Sequence, residues 1–283
     1  MFDVIPGVDY YCVIGNPVVQ SKSPAIHQAF AAQTGQRMSY EKVLVPLAGF
    51  SDALVEFKRR GGRGLNVTVP FKQQAFAAAE TLSARARMAG AVNTMWLDAA
   101  GGWHADNTDG AGLLRDLQNN HRVSIHGRRI LVCGAGGAAR GALPVLLEAG
   151  PQEIVIANRT LARAQAIVDE CDEGMRVHAV GYDALCDFAA FDLIINATSS
   201  GLSGAVPPVP AVCVAPHTCC YDMMYGDGPT AFQRWSQARG AAVAIDGLGM
   251  LVEQAAEAFR LWRGVTPDSG AVIAAMRNKK SGD

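Results

Sequence analysis

Residues 129–140, RILVCGAGGAAR, decide how the chain is read. A short apolar run, Ile130 to Cys133, breaks into glycines and then into an alanine-rich segment, so the stretch predicts strand, tight turn and helix. Gly134, Gly136 and Ala139 fit the spacing G-x-G-x-x-[GA]. The first position makes the turn, the second lets a pyrophosphate approach the backbone, and the third lets helix pack on strand. The helix N-terminus then offers unpaired N–H groups and a partial positive charge to phosphate. Gly134, Ala135, Gly136, Gly137 and Ala138 are therefore expected to face a phosphate-bearing ligand.

Downstream, apolar runs recur at Ile154 to Ala157, Val177 to Val180, Leu193 to Ile195, Cys219 to Asp222 and Ala242 to Ile245, with helical segments between them. Six such strands joined by crossovers describe a doubly wound parallel sheet in an α/β protein. Ligands of these sheets bind beyond the carboxyl ends of the strands, which adds Asn158, Arg159, Thr160, Thr198, Tyr221, Met223 and Gly247 to the candidates. About 20 residues past the first glycine an NAD site usually sets Asp or Glu against the ribose 2′-hydroxyl. Here the strand EIVIA runs into Asn158-Arg159-Thr160, with Arg163 one turn on. No carboxylate stands there to repel a 2′-phosphate, and two guanidiniums can donate to it, so the expected cofactor is NADP.

Upstream, Tyr10 to Ile14 reads as a strand ended by Gly15-Asn16-Pro17, and Ser23-Pro24 as the N-cap and first position of a helix Ala25 to Thr34. Ser21 and Ser23 put two hydroxyls on one short loop at a positive helix end, a place suited to a carboxylate. Tyr40 to Val45 predicts a second strand and Phe50 to Arg60 a helix. In Leu65 to Val69, apolar residues alternate with Asn66 and Thr68, giving one apolar face and one carrying an amide and a hydroxyl. Lys72 then falls in the first turn of a helix Phe71 to Ala79, where a cation opposes the macrodipole by roughly 0.3 to 1 kcal/mol. A strand around Asn93, a hairpin return at Trp103 to Ala105 and the polar loop DNTDG follow, with Asp109 opening a helix Ala111 to Asn119. Beyond Ile245, a long helix to about Arg263 carries Gln254 on its second turn, and a short one starts near Pro267. With six strands already used, these two helices are expected to pack on the N-terminal domain.

The 283 residues suggest two domains, divided as 1–112 plus 247–283 and 113–246, and 49% apolar residues suffice for two cores. Lysine and arginine (25) nearly balance aspartate and glutamate (26), so no field of one sign points to nucleic acid or an anionic membrane. No apolar run approaches the roughly 20 residues of a membrane span, and the N-terminus lacks the basic start and apolar core of a signal peptide, so a cytoplasmic protein with small-molecule partners is expected. The seven cysteines include no C-x-x-C pair, which predicts reduced core residues and no metal. Monomer and homodimer both fit.

In order along the chain, SKSP, NVTVPFK, GAVNT, DNTDG, GAGGAAR, NRT, NATSSG, YDMMY and GLGMLVEQA closely resemble the biosynthetic shikimate dehydrogenase family. The resemblance implies a two-domain protein: an N-terminal α/β substrate domain and a Rossmann-type cofactor domain, with the C-terminal helices returning to the first. It implies reversible reduction of 3-dehydroshikimate to shikimate by NADPH, in the biosynthesis of chorismate and aromatic amino acids. Lys72 and Asp109 match the family's catalytic pair. Ser21, Ser23, Asn66, Thr68, Asn93 and Gln254 match its substrate contacts, with Tyr221 close by. Arg159, Thr160 and Arg163 match its adenosine phosphate site, and Met223 and Gly247 its nicotinamide site. Ala231 departs from the pattern, standing where a proline often follows Pro-Thr. The alternatives are a quinate/shikimate dehydrogenase that accepts NAD, and a catalytically silent NADPH-binding regulator on the same architecture.

Overall fold

The computed structural model describes residues 2, 5–171, 176–198, 200 and 204–278. Over the described residues the chain divides into two compact units: one holds the chain up to Gly112 together with residues 251–278, the other Leu113–Met250.

In the first unit, β1 (Asp9–Gly15), α1 (Ser23–Thr34), β2 (Met38–Leu44), α2 (Phe50–Arg59) and β3 (Gly64–Val67) alternate, and β1 pairs in parallel with both β2 and β3. Next come α3 (Lys72–Ala78), β4 (Thr81–Leu82), α4 (Ala84–Ala89), β5 (Thr94–Leu97) and β6 (Trp103–Asp106). The sheet order is β2-β1-β3-β5-β6-β4, with β5 antiparallel to both β3 and β6. Strand β1 is buried on both faces, which is why DYYCVIG reads as a continuous apolar run. Tyr10, Cys12 and Ile14 join Phe57 of α2 in one core, while Tyr11 and Val13 pack with Tyr40 on the other face. Truncating fully buried Phe57 to alanine would cost about 3–5 kcal/mol.

The second unit begins within α5 (Asp109–Arg115), which passes into a π-turn at Asp116–Asn120. Its strands are β7 (Arg129–Cys133), β8 (Glu153–Ala157), β9 (Val177–Val180), β10 (Leu193–Asn196), β11 (Cys219–Asp222) and β12 (Val243–Ile245). Helices α6 (Gly137–Glu148), α7 (Leu161–Asp169) and α8 (Ala231–Ala238) alternate with them. All pairings are parallel, in the order β12-β11-β10-β7-β8-β9, so the expected doubly wound sheet is present. Its direction of winding reverses between β7 and β10, where ligands of such sheets bind. Helix α9 (Leu248–Arg263) starts in this unit and runs into the first, where α10 (Ser269–Asn278) also lies.

Four sequence-based expectations change. Lys22, not Ser23, is the N-cap of α1, so Ser23 is already helical and its hydroxyl caps nothing. Strand β3 stops at Val67, and Val69 is exposed instead of continuing the apolar face. The helix expected to Asn119 breaks at Arg115 into the π-turn. Strand β4 and helix α4 were not anticipated, because two residues of strand and six of helix carry no periodicity of their own.

Candidate active site

In the first unit, Lys72 opens α3 and Asp109 opens α5, each just past the end of a strand. The Asp109 N–H donates to Asn107 Oδ1 at 3.1 Å, so a neighbouring side chain serves the helix start and the Asp109 carboxylate is left for other work. Lys72 Nζ donates to Asp109 Oδ2 at 2.5 Å. The side chains are 28% and 14% exposed, which shields the pair from water without closing it off. Asn93 Nδ2 donates to the other oxygen of Asp109 at 2.8 Å and lies 3.3 Å from Gln254 Oε1. Asn93 Oδ1 in turn accepts from the Thr108 N–H at 2.9 Å, the Thr108 hydroxyl at 3.1 Å and the Thr94 hydroxyl at 2.9 Å. The Asn93 amide is thus fixed from every side, and it fixes Asp109. Among the described residues the ammonium has no other protein acceptor, so two of its three hydrogens remain for a ligand oxygen.

Gln254 reaches this network because α9 is anchored one turn further along. Arg85 Nη2 lies 2.6 Å from Asp106 Oδ2 and 2.8 Å from Glu257 Oε1, and both carboxylates are buried. Burial works against the Arg85 charge, but the two carboxylates outweigh it and hold the guanidinium above its ordinary pKa. Glu257 and Gln254 are three apart on one helix face, so the ion cluster that binds α9 to β6 also delivers the amide.

The remaining substrate candidates sit on the same unit. Asn66 is buried and largely spent: Nδ2 donates to the Asn93 carbonyl and to the Thr94 hydroxyl, each at 3.1 Å, and Oδ1 accepts from Tyr40 at 2.7 Å. One acceptor lone pair of Asn66 is left for a ligand. The Ser21 hydroxyl donates to Ser23 Oγ at 3.2 Å. Thr68 lies close over Gly15, where an added Cβ would come within 2.4 Å of its methyl.

Tyr221 requires correction. The tyrosine is fully buried in β11, and its hydroxyl donates to buried Asp116 at 2.6 Å, so it is a core residue of the second unit with no surface to present to a substrate. Tyr225, four residues on, is the half-buried tyrosine of this loop. Sequence reasoning also passed over Thr94, Thr108 and Tyr40. Their signal was faint but real, since a polar residue inside an apolar strand is buried only where it finds partners.

In the second unit the cofactor candidates lie at or just past the carboxyl ends of the strands. Gly134 takes φ +105°, open to glycine, and turns the chain from β7 towards α6. Gly136 and Gly137 differ: Cβ atoms added there would meet none of the described residues within 4 Å, and Gly136 has ordinary extended geometry at φ −96°. No described residue demands glycine at these two positions, whereas a pyrophosphate lying against the N-terminus of α6 would. Arg159, Thr160 and Arg163 are exposed at the end of β8, and among the described residues neither arginine has an ion-pair partner. Asn158 Nδ2 closes the loop onto the Thr160 carbonyl at 2.9 Å. Thr198 is held by Asn196 Oδ1 at 2.6 Å, and the Met223 N–H donates to the Asn196 carbonyl at 3.0 Å. At Gly247 an added Cβ would fall 2.2 Å from the Met223 carbonyl, so only glycine lets the two loops meet. Open glycines at a helix start and two unpartnered guanidiniums past the second strand fit NADP. No described helix is long and apolar enough to cross a membrane.

Three family models match the chain: the shikimate dehydrogenase substrate binding domain over residues 13–95, shikimate / quinate 5-dehydrogenase over 116–203, and the shikimate 5'-dehydrogenase C-terminal domain over 247–277. A shikimate dehydrogenase (NADP(+)) of Alkalilimnicola ehrlichii is 56% identical over 269 residues, covering 95% of this chain and 98% of the relative. Among solved structures, an Ael1 enzyme from Pseudomonas putida superposes with a TM-score of 0.90 at 44% identity, over 94% of this chain and 97% of that one. Shikimate 5-dehydrogenase from Thermus thermophilus, in complex with NADP(H) and shikimate, gives a TM-score of 0.84 at 34% identity, over 96% and 99%.

Proposed function

The chain belongs to the shikimate dehydrogenase family, and on that premise we propose that it catalyses the reversible NADPH-dependent reduction of 3-dehydroshikimate to shikimate. The observation that carries the proposal is the Lys72–Asp109 pair at 2.5 Å, with Asp109 held on its second oxygen by Asn93.

NADPH, when bound, supplies hydride to the substrate carbonyl carbon. The alkoxide that develops needs a positive, proton-bearing group within reach, and the Lys72 ammonium supplies it. Asp109 orients that ammonium through Oδ2 and accepts from the neighbouring substrate hydroxyl, and Asn93 keeps the carboxylate from turning. Ser21 and Ser23 bind the substrate carboxylate through their hydroxyls. Thr68 and Gln254 hold ring oxygens, and Asn66 accepts from one ring hydroxyl through its free lone pair. On the second unit, the backbone of Gly134 to Ala138 receives the pyrophosphate and Arg159, Thr160 and Arg163 the 2′-phosphate. Asn158, Thr198, Met223 and Gly247 line the rest of the cofactor's path. The reaction takes place in the cytoplasm on small-molecule substrates, by a monomer or homodimer.

An NAD-type site would set a carboxylate at the end of β8, and the chain has Asn158-Arg159-Thr160 there instead. Initial rates followed at the NADPH absorbance band, with NADP and NAD on shikimate and on quinate, test the reading. The expected result is turnover of shikimate with NADP well above every other combination. Equal rates with NAD, or no shikimate-dependent change in absorbance, would sink it.

A further inference from the structure

On α1, His27 is fully buried, and among the described residues neither of its ring nitrogens has a hydrogen-bond partner. An apolar ring would avoid the desolvation of two idle nitrogens. Burial pushes the imidazole pKa down to about 3, and the Asn66 amide acts the other way without reaching hydrogen-bond geometry, so the ring is neutral at neutral pH. What the ring does instead is stack. It lies on the Tyr40 ring with centroids 4.2 Å apart and planes 8° from parallel, and Trp262 closes in at 5.2 Å. The phenol is held flat between β2 and α1 with little freedom to swing.

The held hydroxyl donates to Asn66 Oδ1 at 2.7 Å, and from Asn66 the bonds run through Thr94 and Asn93 to Asp109 and Lys72. Burial raises the Tyr40 phenol well above its ordinary pKa and the Cys12 thiol adds to this, so the hydroxyl keeps its proton and stays a donor.

We propose that Tyr40 is a positioning residue for the substrate. Its hydroxyl fixes the Asn66 amide, with the His27 ring as its platform. The orientation of the amide that receives a substrate ring hydroxyl is then set by a side chain that itself touches no substrate. This inference rests on the reading above, in which Asn66 receives the substrate.

Tyr40→Phe keeps the ring stack and removes the hydroxyl. The expected result is a KM for shikimate raised about tenfold, roughly 1.4 kcal/mol, with kcat within about threefold and the KM for NADP unchanged. An unchanged shikimate KM overturns the proposal while leaving the activity standing. So does an equal fall in every parameter with a large drop in Tm, which marks a merely loosened fold. A second readout is independent of turnover: in protein labelled with 15N-asparagine, the Asn66 side-chain amide hydrogens exchange faster with solvent in Tyr40→Phe than in the wild type. Unchanged exchange overturns the coupling. Failure of the wild type to oxidise shikimate defeats the functional reading, and the exchange measurement then decides the positioning role alone.

Discussion

The two units prepare for their ligands in opposite ways. In the first, Lys72, Asp109, Asn93, Thr108 and Gln254 are already bonded to one another, and the polar side chains are mostly spent before a substrate arrives. In the second, Gly136, Gly137, Arg159 and Arg163 stand open. The contrast follows from what each does. Proton transfer depends on geometry held to a fraction of an ångström, so its groups are locked by their neighbours in advance. Cofactor binding draws on the charge of the ligand, so its groups can wait in solvent until a phosphate organises them.

The contrast can be broken at either end. Lys72→Ala is expected to have the largest effect, a fall in kcat of about 10²- to 10⁴-fold with the KM for NADP unchanged, since the lost group serves only the reacting oxygen. A turnover number kept within a few-fold would show that the locked network is structural. Replacing Arg159 and Arg163 together by alanine should raise the KM for NADP by about 10- to 100-fold, leave that for NAD nearly unchanged and spare Tm, because exposed donors contribute to the ligand and not to the fold. Equal weakening of both cofactors would mean that the arginines do not read the 2′-phosphate.

His27 gives the smallest effect and one of stability alone. Its folded pKa of about 3 lies below the ordinary 6.5, so between those values the unfolded chain binds one more proton than the folded chain. The stability that this neutral ring allows is complete above pH about 6.5 and falls as the pH drops, by at most about 1.4 kcal/mol per unit. His27→Phe keeps the stack and should flatten the unfolding free energy between pH about 4 and about 6 relative to the wild type, as measured by urea titration. A slope identical in the two proteins would place the ring in a wetter setting than the structure gives it.

Local pattern carried the second unit almost entirely. A glycine spacing, six apolar runs and two arginines past a strand are each contained within a few residues, and the sheet, the turn and the NADP-type loop are all present in the structure. In the first unit the opening strands and helices were legible, and so were Lys72 and Asp109, a cation that opposes its helix start and an acid that suits one. What joins those ends is long-range: Asn93 to Gln254 spans 161 residues and Arg85 to Glu257 spans 172, and no window of sequence holds both partners. Tyr221 was misjudged for the same reason. Its place near a strand end suggested a ligand, but the hydroxyl had been claimed by Asp116, 105 residues earlier, within what read as an ordinary helix. Ser23 was misjudged in the opposite direction, since the helix starts one residue sooner than the Ser-Pro signal suggests and the hydroxyl is relieved of capping.

The central claim is that Lys72 and Asp109 act as one unit, and a double-mutant cycle on kcat with shikimate and NADP tests it most directly. Groups that work as a unit are grossly non-additive. Lys72→Ala with Asp109→Ala combined should therefore be no slower than the slower single variant, to within about threefold. Losses that multiply across the two substitutions would show two independent contributions and contradict the account.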